Sequence, residues 1–431
     1  MIKKKFYITT SIPYANDKPH IGHILDPLLA DVTARYYRKE NFEVKFLVGS
    51  DEHGAKIVQK AEILNKEPKE LVDENSLYFQ EMRDLLNISY TDFIRTTDKI
   101  RHWPGAIKMW NALFDSGDIY KKTYRGLYCI GHEAFVTSKD LEDGVCVDHQ
   151  KKPEVIEEEN WFFKLSKYSK KIEEAIVNKE MRILPETREN EILSLIRSGL
   201  DDVSFSRPSS DLAWGVPVPN DNSQTMYVWC DALVNYISAI GFGNENENAQ
   251  ELLNYFWPAD LQVIGKDNLR FHAAIWPGML LSAGLKLPKT IFVHGFVNVE
   301  GVKISKTIGN VIYPHELVNE YGVDAVRYYF LREFPSYADG DFSYEKFENR
   351  FVGDLSNGLG NLIARVVTLG DAVGKINDNF TLNDTNFHNE ISEICDKHSK
   401  TIKEFKFNET LENIWNIISI LDKYINETKP W

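Results

Sequence analysis

The feature that most constrains the fold is an alternation of short apolar segments with helical patterns, which occurs in two separate stretches of the chain. Near the N-terminus, "KFYITTSI" is followed by a helical pattern over residues 20–40, by "VKFLVGSD", and by further helical patterns over residues 54–86. The same order returns in "LQVIGKDN", an apolar helix over residues 269–283, and "TIFVHGF". Strands that alternate with helices are typical of βαβ units, whose strands are parallel. The sequence therefore predicts an α/β fold with a parallel sheet.

The region between the two stretches has a different residue pattern. Residues 117–222 contain short strand-like pieces, the acidic run "EVIEEEN" and two Cys/His pairs. We interpret this region as a domain inserted into a nucleotide-binding sheet. From about Tyr344 the pattern is purely helical, which predicts a helical bundle at the end of the chain.

Length and charge limit the class of protein. A chain of 431 residues is long enough for two or three domains. The formal net charge is −14, so any contact with a nucleic acid must use a local surface. Four cysteines do not suggest a disulfide framework, and we find neither a signal peptide nor a run of apolar residues that could span a membrane. The expectation is a cytoplasmic soluble enzyme.

Residues 9–25, "TTSIPYANDKPHIGHIL", place two histidines directly after the first predicted strand. Pro19 suits the first turn of a helix, and His20 and His23 would lie one turn apart at the helix start. Backbone N–H groups at such a position favour an anion, which predicts binding of nucleotide phosphates. The alternative is that the histidines are capping or surface residues. Neither G-x-G-x-x-G nor the P-loop pattern is present.

A second loop carries two cations. In "VEGVKISKTIGN", residues 299–310, Lys303 and Lys306 lie among small and hydroxylated residues. A solvated polar turn is one interpretation. The other is a loop that brings two point charges to a triphosphate, a role that suits lysine.

These two motifs resemble the HIGH and KMSKS signatures of the class I aminoacyl-tRNA synthetases. Five segments are similar, in the right order, to those of the methionine-specific branch of that class: "PYANDKPHIGH", "GSDEHG", "YVWCDAL", "IGKDNLRFHAAIWPGML" and "FVHGFVNVEGVKISK". Ile304 and Thr307 replace a methionine and a serine of the usual signature, and Leu233 replaces a residue that is often proline. The resemblance covers essentially the whole chain.

The resemblance implies a Rossmann-like catalytic domain in two halves, with the first half at residues 1–116 and the second at residues 223–300. An inserted connective, zinc-knuckle-like domain would occupy residues 117–222. The KISKT loop and a stem-contact region would occupy residues 301–343, followed by an α-helical anticodon-binding domain at residues 344–431. Family members usually continue with further helices, so this bundle is expected to be incomplete.

The implied reaction is the ATP-dependent attachment of L-methionine to tRNA(Met), which has a CAU anticodon, through a methionyl-adenylate, for translation initiation and elongation. Mg²⁺ is expected with ATP, and the enzyme is expected to be a monomer. The implied catalytic residues are His20, His23, Lys303 and Lys306. Gly22 and Ser305 would join them in binding ATP.

The implied methionine pocket has aromatic and aliphatic walls that would accept a thioether, and a carboxylate that would bind the substrate ammonium group. Core packing is the alternative for each aromatic residue. Asp51 would be the ammonium anchor, and Arg207 is a possible further contact of the active site. The full set for methionine is Ile12, Tyr14, Asp51, Trp229, Ala232, Leu233, Tyr236, Phe271 and His272.

Two Cys-x-x-His pairs predict a structural zinc site, because four such ligands in two pairs are typical of tetrahedral zinc. The ligands would be Cys129, His132, Cys146 and His149. A degenerate knuckle without metal is the alternative.

A predicted helix in the last domain carries Asn357, Asn361 and Arg365 four residues apart, so that they would share a face. A polar helix surface is one interpretation. By resemblance, this face reads anticodon bases and Trp431 stacks on one of them.

Two other functions stay open. One is a class I synthetase for leucine, isoleucine or valine, although those enzymes carry an editing insertion larger than residues 117–222. The other is an RNA-binding relative that has kept the fold but not the chemistry. The intact HIGH motif and both loop lysines argue against it.

Overall fold

A computed structural model describes residues 4–129, 134–136, 141–147, 151–305, 308–373 and 385–429. The chain divides into two compact units. The first consists of Met1–Pro19 and Ala30–Val293, and the second of His20–Leu29 and His294–Trp431. No helix in the described ranges is both long enough and apolar enough to cross a membrane.

The first unit contains most of the strands. In chain order they are β1 (Lys5–Thr10), β2 (Glu43–Ser50), β3 (Asp92–Arg95), β4 (Ile119–Cys129), β5 (Ala134–Val136), β6 (Leu141–Glu142), β7 (Val145–Cys146), β8 (Glu154–Phe163), β9 (Arg182–Leu184), β10 (Val203–Ser204), β11 (Ser206–Pro208), β12 (Pro217–Val218), β13 (Asp221–Met226), β14 (Leu261–Gly265) and β15 (Thr290–His294). Its helices, of which the first begins in the second unit, are α1 (Leu25–Lys39), α2 (Ala55–Ile63), α3 (Pro68–Leu85), α4 (Trp103–Asp115), α5 (Ser169–Val177), α6 (Glu186–Arg197), α7 (Val228–Ala232), α8 (Asn235–Ser238), α9 (Glu247–Phe256) and α10 (Trp276–Ser282).

The second unit is mainly helical. Its strands are β16 (Val297–Val299), β17 (Val302–Lys303) and β18 (Gly340–Phe342). Its helices are α11 (Pro314–Tyr321), α12 (Val323–Glu333), α13 (Tyr344–Arg350), α14 (Asn361–Val373), α15 (Thr385–Lys403) and α16 (Phe407–Thr428). Aromatic rings of α12, β18 and α13 pack on one another in its core, among them Tyr329, Phe342 and Phe347.

A six-stranded sheet in the order β3-β2-β1-β14-β15-β9 is the centre of the first unit. β1 is parallel to both β2 and β14, β2 is parallel to β3, and β15 is parallel to β9. All of β14 and the second half of β2 are buried, as expected where helices cover both faces of a parallel sheet. The predicted α/β class with a parallel sheet is confirmed.

The order of the strands fixes where a ligand can bind. β1 lies between β2, the next strand in the chain, and the much later β14. From β1 the chain continues to one side of the sheet, and from β14 it continues to the other side. In an open parallel sheet, such a switch leaves a crevice outside the carboxyl ends of the two strands, where ligands bind. The crevice here lies beyond Thr10 and Gly265.

An antiparallel sheet lies within the inserted region. β4 and β8 pair from Ile119 with Phe163 to Tyr128 with Glu154, and the sheet order is β10-β8-β4-β5. β6 and β7 form a separate hairpin, and β11, β13 and β12 a three-stranded sheet. Cys129 and Cys146, at the ends of β4 and β7, are buried in one small apolar cluster with Val136.

Two helical predictions differ from the structure in detail. The helix predicted from residue 20 begins instead with a separate 3₁₀ turn, Ile21–His23, and α1 starts at Leu25. The reason is local: the side chains of His20 and His23 cap backbone N–H groups that an uninterrupted helix would leave without partners. The apolar helix before β15 likewise begins with a π-helical turn, Phe271–Ile275.

Candidate functional site

A pocket that is partly open to solvent lies at the predicted crevice of the first unit. β1 is followed directly by Ser11 and Ile12, α7 and α8 supply one wall, and the segment after β14 supplies another. The lining residues are Ser11, Ile12, Trp229, Ala232, Leu233, Asn235, Tyr236, Asn268 and His272. The structure thus brings most of the residues predicted to bind methionine into one pocket, which we call the β1–β14 pocket.

Two aromatic rings form a stacked pair at this pocket. The rings of Trp229 and Phe271 are 3.6 Å apart between centroids and only 12° from parallel. Tyr14 meets Trp229 edge-on at 6.3 Å. Trp229 and Phe271 pack on the main core but are only partly buried, as expected for side chains that form a wall and not the core itself.

Hydrogen bonds fix the position of His272 at the pocket. Its Nδ1 lies 3.0 Å from the carbonyl oxygen of Asn268, which can only accept, so Nδ1 carries a proton. Its Nε2 lies 2.7 Å from the hydroxyl of Tyr236. Both side chains are buried.

Asp51 is buried at the end of β2, beside the loop that follows β1. Its backbone N–H donates to the carbonyl of Pro13, and its own carbonyl accepts from the N–H of Ala15, each at 2.8 Å. These two bonds tie the backbone of Asp51 to the Pro13–Ala15 loop.

Three lining residues were missed by the sequence interpretation: Ser11, Asn235 and Asn268. Asn235 lies three residues after Ala232, and Asn268 four before His272, so helical spacing from the predicted residues was the available signal. Asn235 is fully buried, and its side-chain amide donates to the carbonyl of Ala232 at 2.7 Å.

Arg207 lies on β11 and is not among the lining residues of the β1–β14 pocket. Its guanidinium donates to Glu158 at 2.7 Å and stacks over the ring of Tyr128 at 4.2 Å. Burial lowers its pKa, but the neighbouring Tyr128 and Glu158 raise the pKa by more. Its predicted role at the active site stays a prediction.

The two histidines of the HIGH motif cap the 3₁₀ turn in the second unit. The N–H of Gly22 donates to Nδ1 of His20 at 3.0 Å, and the N–H of His20 donates to Nδ1 of His23 at 3.1 Å. Because each Nδ1 accepts, a neutral ring carries its proton on Nε2. The rings lie 4.1 Å apart between centroids. The turn has only three residues, so side-chain donors, and not a helix dipole, are what it can offer an anion.

Gly22 is required by the position of the first ring. A Cβ atom on Gly22 would lie 2.8 Å from Cε1 and 2.9 Å from Nδ1 of His20, closer than unbonded carbon atoms approach. Glycine is therefore the residue that lets His20 fold back over the turn.

The KISKT loop begins from a two-residue hairpin between β16 and β17, whose turn residues Glu300 and Gly301 have φ values of 51° and 76°. Lys303 is exposed, with its ammonium 5.2 Å from the ring centre of Phe296. Asn310, which the sequence interpretation missed, closes the loop: it accepts from the N–H of Ser305 at 2.8 Å and donates to the carbonyl of Lys303.

The HIGH turn and the KISKT loop are neighbours within the second unit. The N–H of Ile21 donates to the carbonyl of Ile312 at 3.0 Å, and a Cβ on Gly22 would lie 3.5 Å from Ile304. Lys306 lies outside the described residues. The described part of the chain thus joins His20, Gly22, His23, Lys303 and Ser305 in one region.

The structure describes two of the four predicted zinc ligands. Cys129 and Cys146 are brought together in their buried cluster, whereas His132 and His149 lie outside the described residues. Among the residues that the structure describes, no group of three or more His, Cys, Asp or Glu side chains could hold a metal. Zinc binding stays a prediction.

The predicted anticodon face is less regular than expected. Asn357 lies in a π-helical segment, Phe351–Gly360, and α14 begins at Asn361. The wider π-helical turn changes the direction of Asn357 relative to an α-helix, so the spacing of four does not guarantee a shared face. Asn357 and Asn361 are exposed, and the guanidinium of Arg365 donates to Asp422 at 3.0 Å and to Asn426. Trp431 lies outside the described residues.

A family model, curated relatives and a solved structure all indicate the same family. Residues 6–142 and 136–367 match the family described as "tRNA synthetases class I (M)". The chain is 43% identical over its whole length to the methionine–tRNA ligase of Caldanaerobacter subterraneus subsp. tengcongensis and 44% identical to that of Clostridium perfringens. It spans about two thirds of the length of each, 67% in both cases.

The fold is also similar to a solved structure. Mycobacterium tuberculosis methionyl-tRNA synthetase, in complex with methionyl-adenylate, superposes with a TM-score of 0.94 at 38% sequence identity. The alignment covers 99% of this chain and 84% of that one.

Proposed function

The chain belongs to the methionine-specific branch of the class I aminoacyl-tRNA synthetases, and we propose that it attaches L-methionine to tRNA in two ATP-dependent steps. In the first, an oxygen of the methionine carboxylate attacks the α-phosphorus of ATP and pyrophosphate leaves. In the second, a hydroxyl of the 3′-terminal ribose of tRNA attacks the activated carbonyl carbon and AMP leaves. ATP enters with Mg²⁺, whose ligands include phosphate oxygens.

The absence of acidic, lysine and arginine side chains from the described lining of the β1–β14 pocket is the observation that carries this proposal. The lining instead consists of apolar, aromatic and amide side chains with Ser11 and His272, and the ring of His272 bonds to Asn268 and Tyr236. An ionised substrate side chain would lose its hydration without gaining a partner there. A thioether loses little on desolvation and gains polarisable contacts with Trp229 and the other aromatic walls.

Asp51 is the proposed anchor of the substrate ammonium. Its burial excludes water, so a carboxylate–ammonium bond there is stronger than it would be at the surface. The backbone bonds to Pro13 and Ala15 tie the backbone of Asp51 to the loop that begins after Ile12. A free α-amino group is therefore part of what the pocket selects.

His20 and His23 are proposed to bind the phosphates of ATP through their Nε2–H groups. The capping bonds at Nδ1 decide this tautomer before ATP arrives, so no proton needs to move on binding. Donors that are fixed in advance stabilise the charge that develops on phosphate oxygens in the transition state.

Lys303 and Lys306 are proposed to neutralise the triphosphate. The bonds of Asn310 to the backbone of Lys303 and Ser305 support a loop with a defined base. Lysine contributes a compact charge on a flexible stem, so it can follow the phosphates as pyrophosphate leaves.

The proposed nucleic-acid partner is tRNA(Met), read at its CAU anticodon by Asn357, Asn361, Arg365 and Trp431. Exposed amide edges support such a role for Asn357 and Asn361. Arg365 would first have to exchange its bonds to Asp422 and Asn426 for bonds to a base. We further propose that the enzyme acts as a monomer in the cytoplasm.

A structural zinc ion is proposed for the inserted region. Cys129 and Cys146 supply two thiols from one buried cluster, and each is followed by a histidine three residues later, so the donor set fits tetrahedral zinc. All four ligands would come from the protein, so the ion would stabilise the fold and take no part in the reaction.

Replacement of Lys306 by alanine tests the function. Methionine-dependent ATP–pyrophosphate exchange should fall by about two to four decades, the scale of losing a preorganised charge in the transition state. Lys423→Ala is the matched control, because Lys423 is exposed on α16 and bound only weakly to Glu427. Equal exchange rates in the two variants would contradict the proposed role of the loop.

A further inference from the structure

A buried cluster of one carboxylate and two imidazoles lies in the first unit and includes a residue of α7, the helix that also carries Trp229 and Ala232 of the β1–β14 pocket. The carboxylate of Asp231 lies 2.5 Å from Nδ1 of His53 through one oxygen and 2.6 Å from Nε2 of His102 through the other. Nδ1 of His102 lies 2.9 Å from the hydroxyl of Ser238. All three charged or titratable side chains are at most 3% exposed. No residue of this cluster lines the pocket.

The cluster joins three separate elements. Asp231 lies in α7, between the pocket residues Trp229 and Ala232. His53 follows β2 and lies two residues after Asp51. His102 immediately precedes α4 and reaches α8 through Ser238. The helix that carries the Trp229 wall and the segment that carries Asp51, the proposed ammonium anchor, are therefore tied together through one carboxylate.

Charge is the second property of the cluster. Burial alone would raise the pKa of Asp231, but the charges and hydrogen bonds of His102 and His53 outweigh it and lower the pKa to about 2. The carboxylate is therefore an anion that has lost its hydration. A buried anion is stable only when a neighbouring positive charge and hydrogen bonds replace that hydration. His53 and His102 are the two side chains that lie within hydrogen-bond distance of this carboxylate.

We propose that Asp231, His53 and His102 are positioning residues of the methionine pocket, and that either histidine can supply the one positive charge that the buried carboxylate requires. This inference rests on the proposed methionine-activating function. The cluster touches no substrate. It sets the distance between the Trp229 wall and the Asp51 anchor, and therefore acts on methionine binding and not on ATP binding.

Amide side chains can separate hydrogen bonding from charge. In His53→Asn, the amide nitrogen takes the place of Nδ1, and in His102→Gln the amide nitrogen takes the place of Nε2. Each substitution keeps a donor to Asp231 and removes the possibility of a positive charge. Asp231→Asn removes the negative charge and keeps one acceptor and one donor.

The experiment is a double-mutant cycle on the whole protein, read by calorimetric binding of methionine and by the KM values for methionine and ATP in pyrophosphate exchange. Each single amide variant should weaken methionine binding by no more than about fivefold, and the double variant by about a hundredfold, because coupled charges are strongly non-additive. The KM for ATP should change by less than about threefold in all of them.

A triple variant with amides at all three positions decides the role of charge. It has neither the anion nor the cations, and it should recover most of the methionine affinity lost in the double variant. If the double variant does not fold, recovery of folding and binding in the triple variant is the same result. Asp118→Asn is the matched control: that carboxylate is also buried and bonded by Lys167, Tyr168 and Ser282. It should lower thermal stability without changing the affinity for methionine.

Three results would overturn the inference: additive single effects, a triple variant as weak as the double variant, or equal losses of methionine and ATP binding. Failure of the proposed function has a different signature. In that case the wild-type chain itself shows no methionine-dependent exchange, and calorimetry detects no methionine binding in any variant.

Discussion

Substitution of Gly22 by alanine is the sharpest perturbation of the proposed phosphate site. The added Cβ would lie 2.8 Å from Cε1 and 2.9 Å from Nδ1 of His20, so the imidazole must rotate away from the turn. Rotation breaks the 3.0 Å bond from the N–H of Gly22 to Nδ1, which contributes about 0.5–1.5 kcal/mol. More important for function, it misdirects the Nε2–H donor and removes the bond that fixes the tautomer.

The expected effect on catalysis is larger than the effect on stability. Loss of one preorganised donor to a developing oxyanion typically lowers kcat by about 10²–10³-fold, or about 2.7–4 kcal/mol. Methionine-dependent ATP–pyrophosphate exchange should fall by about that factor, while calorimetric affinity for methionine should stay near the wild-type value. Only the adenylation half of the reaction needs to be measured.

Gly370→Ala provides the control for the same chemical change. Gly370 lies in α14, and a Cβ there would meet nothing within 4 Å. The control should raise stability slightly, by up to about 1 kcal/mol from helix propensity, with unchanged exchange. Exchange by Gly22→Ala within about threefold of wild type would refute the reasoning, because it would mean that the position of His20 does not matter to ATP.

Three further predictions concern other regions. Purified protein should contain about one equivalent of zinc, which a Cys129→Ser, Cys146→Ser double variant should lose together with thermal stability, and metal analysis without zinc in protein never exposed to chelators would remove that claim. Asn361→Ala should weaken tRNA charging by about 1–3 kcal/mol and leave pyrophosphate exchange intact, whereas a parallel fall of both activities would indicate a structural role for α14. The pKa of Asp231 in the folded protein is about 2, below its ordinary value of 3.8. The ionised carboxylate therefore stabilises the fold at pH values above 3.8, and this stabilisation is lost as the pH falls through the folded-state pKa. Between pH 5 and pH 2, the free energy of urea unfolding should therefore fall by about 2 kcal/mol less in Asp231→Asn than in wild type. Equal losses in the two proteins would contradict the assignment of the charge.

The parallel sheet was predictable from the sequence because its signal is local. Each buried strand, such as β1 or β14, is a short apolar run next to a helical pattern. The order of the strands was not predicted, because it depends on pairing between segments that are distant in the sequence. Most residues of the β1–β14 pocket could be predicted only from the resemblance to a known family. Aromatic residues such as Trp229 are equally common in cores, so composition alone does not separate a pocket wall from packing.

Other features depend on contacts that no local pattern encodes. His53, His102 and Asp231 are far apart in the sequence, and nothing near any one of them indicates that two imidazoles meet one carboxylate. The 3₁₀ turn at Ile21–His23 and the closure of the KISKT loop by Asn310 depend on side chains that bond to particular backbone groups. Helical periodicity does not record such bonds, because it reports only which faces are apolar.

Pyrophosphate exchange measured separately with each of the twenty amino acids tests the central claim most directly. A pocket with aromatic walls and no acidic, lysine or arginine side chain in its described lining, together with the proposed ammonium anchor Asp51, predicts strong exchange with L-methionine and far weaker exchange with leucine, isoleucine and valine. Exchange that is strongest with leucine, isoleucine or valine would contradict the assignment of the pocket. Binding of tRNA without exchange for any amino acid would contradict the assignment of the enzyme.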